Sequence, residues 1–158
     1  MSAIEIDSSI RDYVKSATPG RVASIASEVL SKNATRMKLR GASGARLFNK
    51  IAPSVVLIAS EDSIGSGSII DETGLILTNW HVVSDNRELD VIFMPLGLGA
   101  EIDTANIGRA KTVSLDKSKD LALLQLQGFN EDLPSPIELA SEEDIQVGLD
   151  THAIGHPN

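Results

Sequence analysis

From Pro53 onward the chain breaks into short runs rich in aliphatic and β-branched residues, and this punctuation limits its fold more than any other feature. The runs are SVVLIAS (54–60), GSGSIID (65–71), GLILTN (74–79), LDVIF (89–93), AKTVSL (110–115), DLALLQL (120–126) and THAIG (151–155). Turn residues separate most of them. Asp71 to Gly74 has the composition of a hairpin turn joining two strands. Several short strands with few helices between them predict an antiparallel sandwich or a small barrel. Two connections are longer: 94–109, which holds Pro95, Gly97, Gly99 and Gly108, and the polar passage 129–148. A segment as long as the first without its own structure is often functional or mobile. Gly65 and Gly67 interrupt a strand pattern, which weakens it unless backbone or side chains must come close. Their GSGS sequence is not a phosphate loop, because no lysine follows and no helix begins there.

Before residue 50 the pattern is helical. Ser8 or Ser9 caps a short helix carrying Ile10, Val14 and Ala17. Thr18-Pro19 reads as a cap with proline in the first turn, followed by Val22, Ile25, Ala26, Val29 and Leu30 at helical spacing. After the break RGASG (40–44), Ser43 caps a third helix with Leu47, Phe48 and Ile51, stopped before Pro53. The expected division is a helical N-terminal extension, 1–46, and a β-rich body, 47–158.

Composition removes several function classes. A chain of 158 residues is long enough to bury a sizeable core as one domain. It has no cysteine, so disulfides and thiolate metal sites are excluded. The net charge of -8 and the 3% aromatic content argue against nucleic acid as a partner. No apolar run is long enough for a membrane span. The first thirty residues lack a basic start followed by an apolar block, so no signal peptide is visible.

The chemistry rests on the histidines. His81, His152 and His156 have no partner at metal-ligand spacing, so neither a metal nor a cofactor is expected. His152 reads as a surface or packed residue and His156 as part of a structural turn. His81 differs in its setting. It follows a strand that ends at Asn79, a residue suited to capping a helical turn, and so stands on rigid backbone at a sheet edge. An imidazole acting as a general base needs a carboxylate on its opposite nitrogen to fix the tautomer. Asp120 stands where a polar loop enters an apolar strand, with Leu121, Leu123 and Leu124 positioned to exclude water. Asp116, four residues earlier in a more solvated stretch, is the competitor. For either, the plainer role is a turn aspartate bonding its own backbone.

Three blocks occur in a telling order: GSGSIIDETGLILTNWHVVSD, then DLALLQL after a loop ending in aspartate, then VGLDTHAIGHP. Together they resemble the first half of a chymotrypsin-like serine protease, in the bacterial HtrA/Deg branch, and APSVVLI (52–58) resembles that branch's first barrel strand. The likeness implies a mainly β fold, the N-terminal six-stranded antiparallel β-barrel of the trypsin-like architecture, preceded by short α-helices. It also implies that His81 is the catalytic general base, that Asp120 is its orienting carboxylate, and that the parent enzyme hydrolyses protein or peptide substrates. The family order is histidine, aspartate, serine, yet neither Ser135 nor Ser141 stands in a Gly-Asn-Ser-Gly-Gly setting, and no such motif occurs. A second barrel, expected as a partner, would carry the nucleophile, so the 158 residues alone are expected to be inactive. A barrel face cut from its neighbour exposes apolar surface, so self-association, or cover by the N-terminal helices such as the amphipathic stretch Pro19 to Leu30, is a further expectation. A periplasmic or secreted location follows from the resemblance. The alternative is a non-catalytic pseudoprotease or protein-binding barrel.

Overall fold

The computed structural model of the chain describes residues 42–60, 63–84, 86, 88–93, 104–129 and 132–156. Within them the fold is the expected six-stranded antiparallel barrel. Its strands are β1 (Val55–Ala59), β2 (Ile64–Ile69), β3 (Leu75–Thr78), β4 (Glu88–Ile92), β5 (Ile107–Asp116) and β6 (Leu121–Gln127). They run in the order β1-β2-β3-β6-β5-β4, and β1 pairs with β4 to close the ring. Closure leaves no long unpaired edge around the ring, the usual liability of a small sheet.

The seventh run, THAIG, is a correction: residues 151–155 form no strand. β2 and β3 already carry a neighbour on each side, so the ring has no vacant edge for it. A short helical turn, Thr104–Asn106, instead leads into β5, which begins at Ile107 and so runs ahead of the expected AKTVSL stretch. The two helices expected around Ile10–Ala17 and Val22–Leu30 lie outside the described residues. The third forms as α1 (Ala42–Ile51), beginning one residue before Ser43, the expected cap. A 3-10 turn over Ala52–Ser54, with Pro53 inside it, delivers the chain to β1.

The core explains why the strands hold. Val56, Ile58, Ile69, Ile76, Val91 and Leu124 lose essentially all exposure. Each buried aliphatic side chain of this size stabilises by roughly 1.5–3 kcal/mol. β6 keeps strict alternation, burying Ala122, Leu124 and Leu126 between more exposed neighbours. The β2–β3 hairpin turns as predicted. Asp71 Oδ1 accepts from the backbone N–H of Thr73 and of Leu75, each at 2.9 Å, and Gly74 adopts φ +81°.

After β6 the chain crosses back over the barrel as an irregular strap. Ile137 N–H donates to Ile69 O at 2.8 Å, and Leu133 packs against the core. The strap ends on β2, where His156 N–H donates to Ser66 Oγ at 2.6 Å. His156 is buried, and that burial lowers its pKa to about 4. His152, by contrast, is exposed.

The interrupting glycines of β2 answer to close packing. A Cβ on Gly65 would lie 2.4 Å from Val82 Cγ2, and one on Gly67 would lie 2.6 Å from Ile58 Cδ1. Gly65 thus admits the short helical turn that follows β3, here α2 (Trp80–Val83), whose Val82 and Val83 are buried in the core. Alanine at position 65 is expected to cost about 1–3 kcal/mol of stability by overpacking. Denaturant unfolding should show that loss, and Val82→Ala in the same chain should recover part of it.

His156 supplies a second expectation. Between pH 6.5 and about 4 the unfolded chain binds a proton that the folded chain does not. Stability is therefore complete above pH 6.5 and falls as the pH drops through this window, by about 2 kcal/mol between pH 7 and pH 5. The change in unfolding free energy between those two pH values should be larger in the parent chain than in His156→Gln by that amount.

Candidate active site

Two rim segments meet because of one strand pairing. β3 and β6 are antiparallel with Thr78 opposite Ala122. Residues just after Thr78 and just before Ala122 must then leave the sheet at the same end. Asn79, Trp80 and His81 come from one side of this junction. The turn 117–120, linking β5 to β6, comes from the other.

Asp120 joins the two segments. Its Oδ2 lies 2.7 Å from His81 Nδ1, and its Oδ1 accepts from the His81 backbone N–H at 3.0 Å. Asn79 Nδ2 donates to Asp120 Oδ2 at 3.2 Å and to its backbone carbonyl at 3.0 Å. An ionised carboxylate only accepts, so this geometry places the proton on Nδ1 and leaves Nε2 with its lone pair. The His81 backbone N–H contributes most to holding the Asp120 carboxyl below the usual carboxylate range. The imidazole hydrogen bond adds to it, and Asn79 contributes further.

Asp120 reaches this position through a backbone conformation that most residues avoid. Its φ is +54°, in the left-handed region, where aspartate and asparagine are the tolerated non-glycine residues. Asp116, the competing carboxylate, has the plainer role. Its Oδ1 accepts from Ser118 N–H at 3.0 Å, Ser118 Oγ–H at 2.6 Å and Lys119 N–H at 3.1 Å, so it organises the turn and does not reach His81.

Two details depart from expectation. Asn79 does stand at the start of α2 with extended backbone, but its side chain makes no capping bond. It goes to Asp120 instead. The leucines do not exclude water either: Leu121 is 39% exposed, and the His81 and Asp120 side chains are 63% and 43% exposed. The cause is position. The pair stands on the rim, while the alternation of β6 sends Leu124 inward to the core.

Sequence reasoning assigned no role to Trp80 or Lys117. Lys117 Nζ sits 4.8 Å from the centroid of the Trp80 ring, a cation–π contact worth about 0.5–1 kcal/mol at an exposed site. The available signal was a lone tryptophan beside the candidate base. Among the described residues, no group of three His, Asp or Glu side chains gathers as metal ligands would, and no helix is long and apolar enough to cross a membrane.

The profile of the trypsin-like peptidase domain matches residues 65–158, which take in both rim segments. The chain belongs to the trypsin-like peptidase family. The HtrA/Deg-type resemblance read from the sequence holds as well. A probable periplasmic serine endoprotease DegP-like from Pseudomonas putida is 40% identical over 95 residues, 60% of this chain and 17% of that protein. The chloroplastic Protease Do-like 5 of Arabidopsis thaliana is 30% identical over 132 residues, 70% of this chain and 41% of that protein. This trypsin-like peptidase therefore spans well under half the length of these relatives. The crystal structure of Deg5 superposes with a TM-score of 0.53 at 31% identity, covering 66% of this chain and 51% of that one.

The Asp120 carboxyl gives this peptidase barrel a pH signature. Its pKa is lowered on folding from an ordinary value of 3.8. The stability it lends is present above pH 3.8 and is lost as the pH falls through the lower folded value. Asp71, Asp116 and Asp144 act in the same direction, whereas burial raises Asp90 and opposes them. Melting temperatures should drop on acidification below about pH 4, and Asp120→Asn should flatten that drop without abolishing it.

Proposed function

We propose that these residues are the first barrel of a serine endopeptidase, with His81 as general base and Asp120 as the carboxylate that orients it. The 2.7 Å contact between Nδ1 and Oδ2, at the open rim of a barrel of this family, carries the reading. His81 Nε2 takes the proton of a serine hydroxyl as that oxygen attacks the scissile carbonyl, then returns it to the leaving amine. Asp120 keeps the ring in the Nδ1–H tautomer and stabilises the imidazolium formed in between. The substrate is a protein or peptide, and the chemistry is acyl transfer to serine followed by hydrolysis.

The nucleophile belongs to a second barrel outside these 158 residues, a placement supported by the absence of a Gly-Asn-Ser-Gly-Gly motif here. Residues 47–158 then form the first barrel with its outgoing strap, and 1–46 form an extension. Leu139, Ile145, Val147 and Leu149 are exposed on the strap, as befits a segment that meets another body. The periplasmic label of the Pseudomonas relative supports an extracytoplasmic location.

The 158-residue chain alone should not be labelled by a fluorophosphonate probe. Joined to its second barrel it should be labelled and should cleave an unfolded protein substrate. His81→Ala should then lower kcat by roughly 10⁶-fold and Asp120→Ala by roughly 10⁴-fold, the sizes found for such groups in other serine peptidases. Undiminished turnover in either variant refutes the assigned roles.

A further inference from the structure

The hydrogen bonds that tie the turn carrying Asp120 to the segment of His81 all fall at its Asp120 end, while at its base β5 and β6 pair Asp116 with Leu121. Within the turn, Asp120 N–H reaches Lys117 O at 3.4 Å, the long limit of a useful bond. The Asp116 carboxylate organises Ser118 and Lys119, and Lys119 Nζ pairs with Asp116 Oδ2 at 3.7 Å, but none of these contacts reaches Asp120. Asp120 itself holds a left-handed φ of +54°, a conformation aspartate tolerates but does not prefer, so neighbouring contacts help to keep it there. Asn79 and His81 hold the carboxylate end, where water competes because the His81 side chain is exposed and that of Asp120 partly so.

The opposite end of the turn is Lys117. Its ammonium lies over the ring of Trp80, the residue that directly precedes His81. Trp80 stands on α2, which Val82 and Val83 anchor in the core, so the ring is fixed to rigid backbone. The indole N–H is buried with no acceptor among the described residues, so the face of the ring, not its polar edge, makes the contact. The turn is thereby tied at both ends to the same three residues, Asn79 to His81.

We propose that Trp80 and Lys117 are positioning residues, a latch that keeps the Asp120 carboxylate on His81 Nδ1 and so sets the tautomer of the ring. The proposal rests on the reading of His81 and Asp120 as base and orienting carboxylate. It assigns a role to two residues that need not touch substrate.

The test measures the His81 tautomer directly, from ring nitrogen chemical shifts in the full 158-residue chain at a pH where the ring is neutral. The parent chain should hold mainly the Nδ1–H form. Lys117→Ala and Trp80→Ala should each lower the ratio of Nδ1–H to Nε2–H about threefold, the loss expected of one exposed cation–π contact. Lys117→Arg should restore it, and the double variant should fall no further than either single one. Lys117 is exposed, so its variants report on the latch even if Trp80→Ala fails to fold. An unchanged ratio in Lys117→Ala overturns the latch, as does a double variant in which the two losses multiply. Asp120→Ala separates the two levels. If it abolishes the Nδ1–H preference while Lys117→Ala does not, the latch falls and the base–carboxylate pair stands. If it too leaves the ratio unmoved, the pair falls and takes the latch with it.

Discussion

The pairing of Thr78 with Ala122 is the constraint on which the site depends. His81 and Asp120 are 39 residues apart in the chain, and no local preference would bring them together. Once β3 and β6 share a ladder in this register, their free ends leave the barrel side by side. A slip of one residue would also send every side chain of β6 to the opposite face. Ala122, Leu124 and Leu126 would then leave the core for the less buried positions of Leu121, Leu123 and Gln125. Core burial and site geometry are therefore set by the same register.

The two are held by forces of very different size. Aliphatic burial, at roughly 1.5–3 kcal/mol per side chain, far exceeds a surface cation–π contact at about 0.5–1 kcal/mol. The barrel thus defines where the rim lies, and the weaker contacts select one arrangement upon it. This division suits the chemistry. The histidine backbone is fixed by Val82 and Val83 beneath it and by the clearance at Gly65, while the carboxylate arrives on a turn held by hydrogen bonds. An error in the turn costs little folding energy but displaces the acceptor from Nδ1.

Much of this was legible in the sequence, and the limits have physical reasons. Six β-rich runs became strands because each buries one face in a common core. THAIG has the same composition and did not, because strand formation needs a partner and the closed ring leaves none. The choice of Asp120 over Asp116 drew on its position where a polar loop meets an apolar strand. That position is real, but the inferred dryness is not, since the register turns Leu121 outward. Asn79 was legible as the residue that starts α2 but not as a donor to Asp120, a contact across 41 residues that no local motif encodes. The contact of Trp80 with Lys117 was not legible for the same reason: cation–π partners have no fixed spacing.

The exposure of the pair bears on how complete the site is. A carboxylate and an imidazolium attract about four times more strongly at an effective permittivity near 20 than in bulk water. With side chains 63% and 43% exposed, His81 and Asp120 sit close to the weak limit of that range. The 2.7 Å contact between them is already in place, so what a covering body would add is a lower permittivity. A second barrel set over this rim would strengthen the stabilisation of the imidazolium at the step where the charge forms. Distance is thus supplied by the barrel's register, and field strength by whatever closes over it.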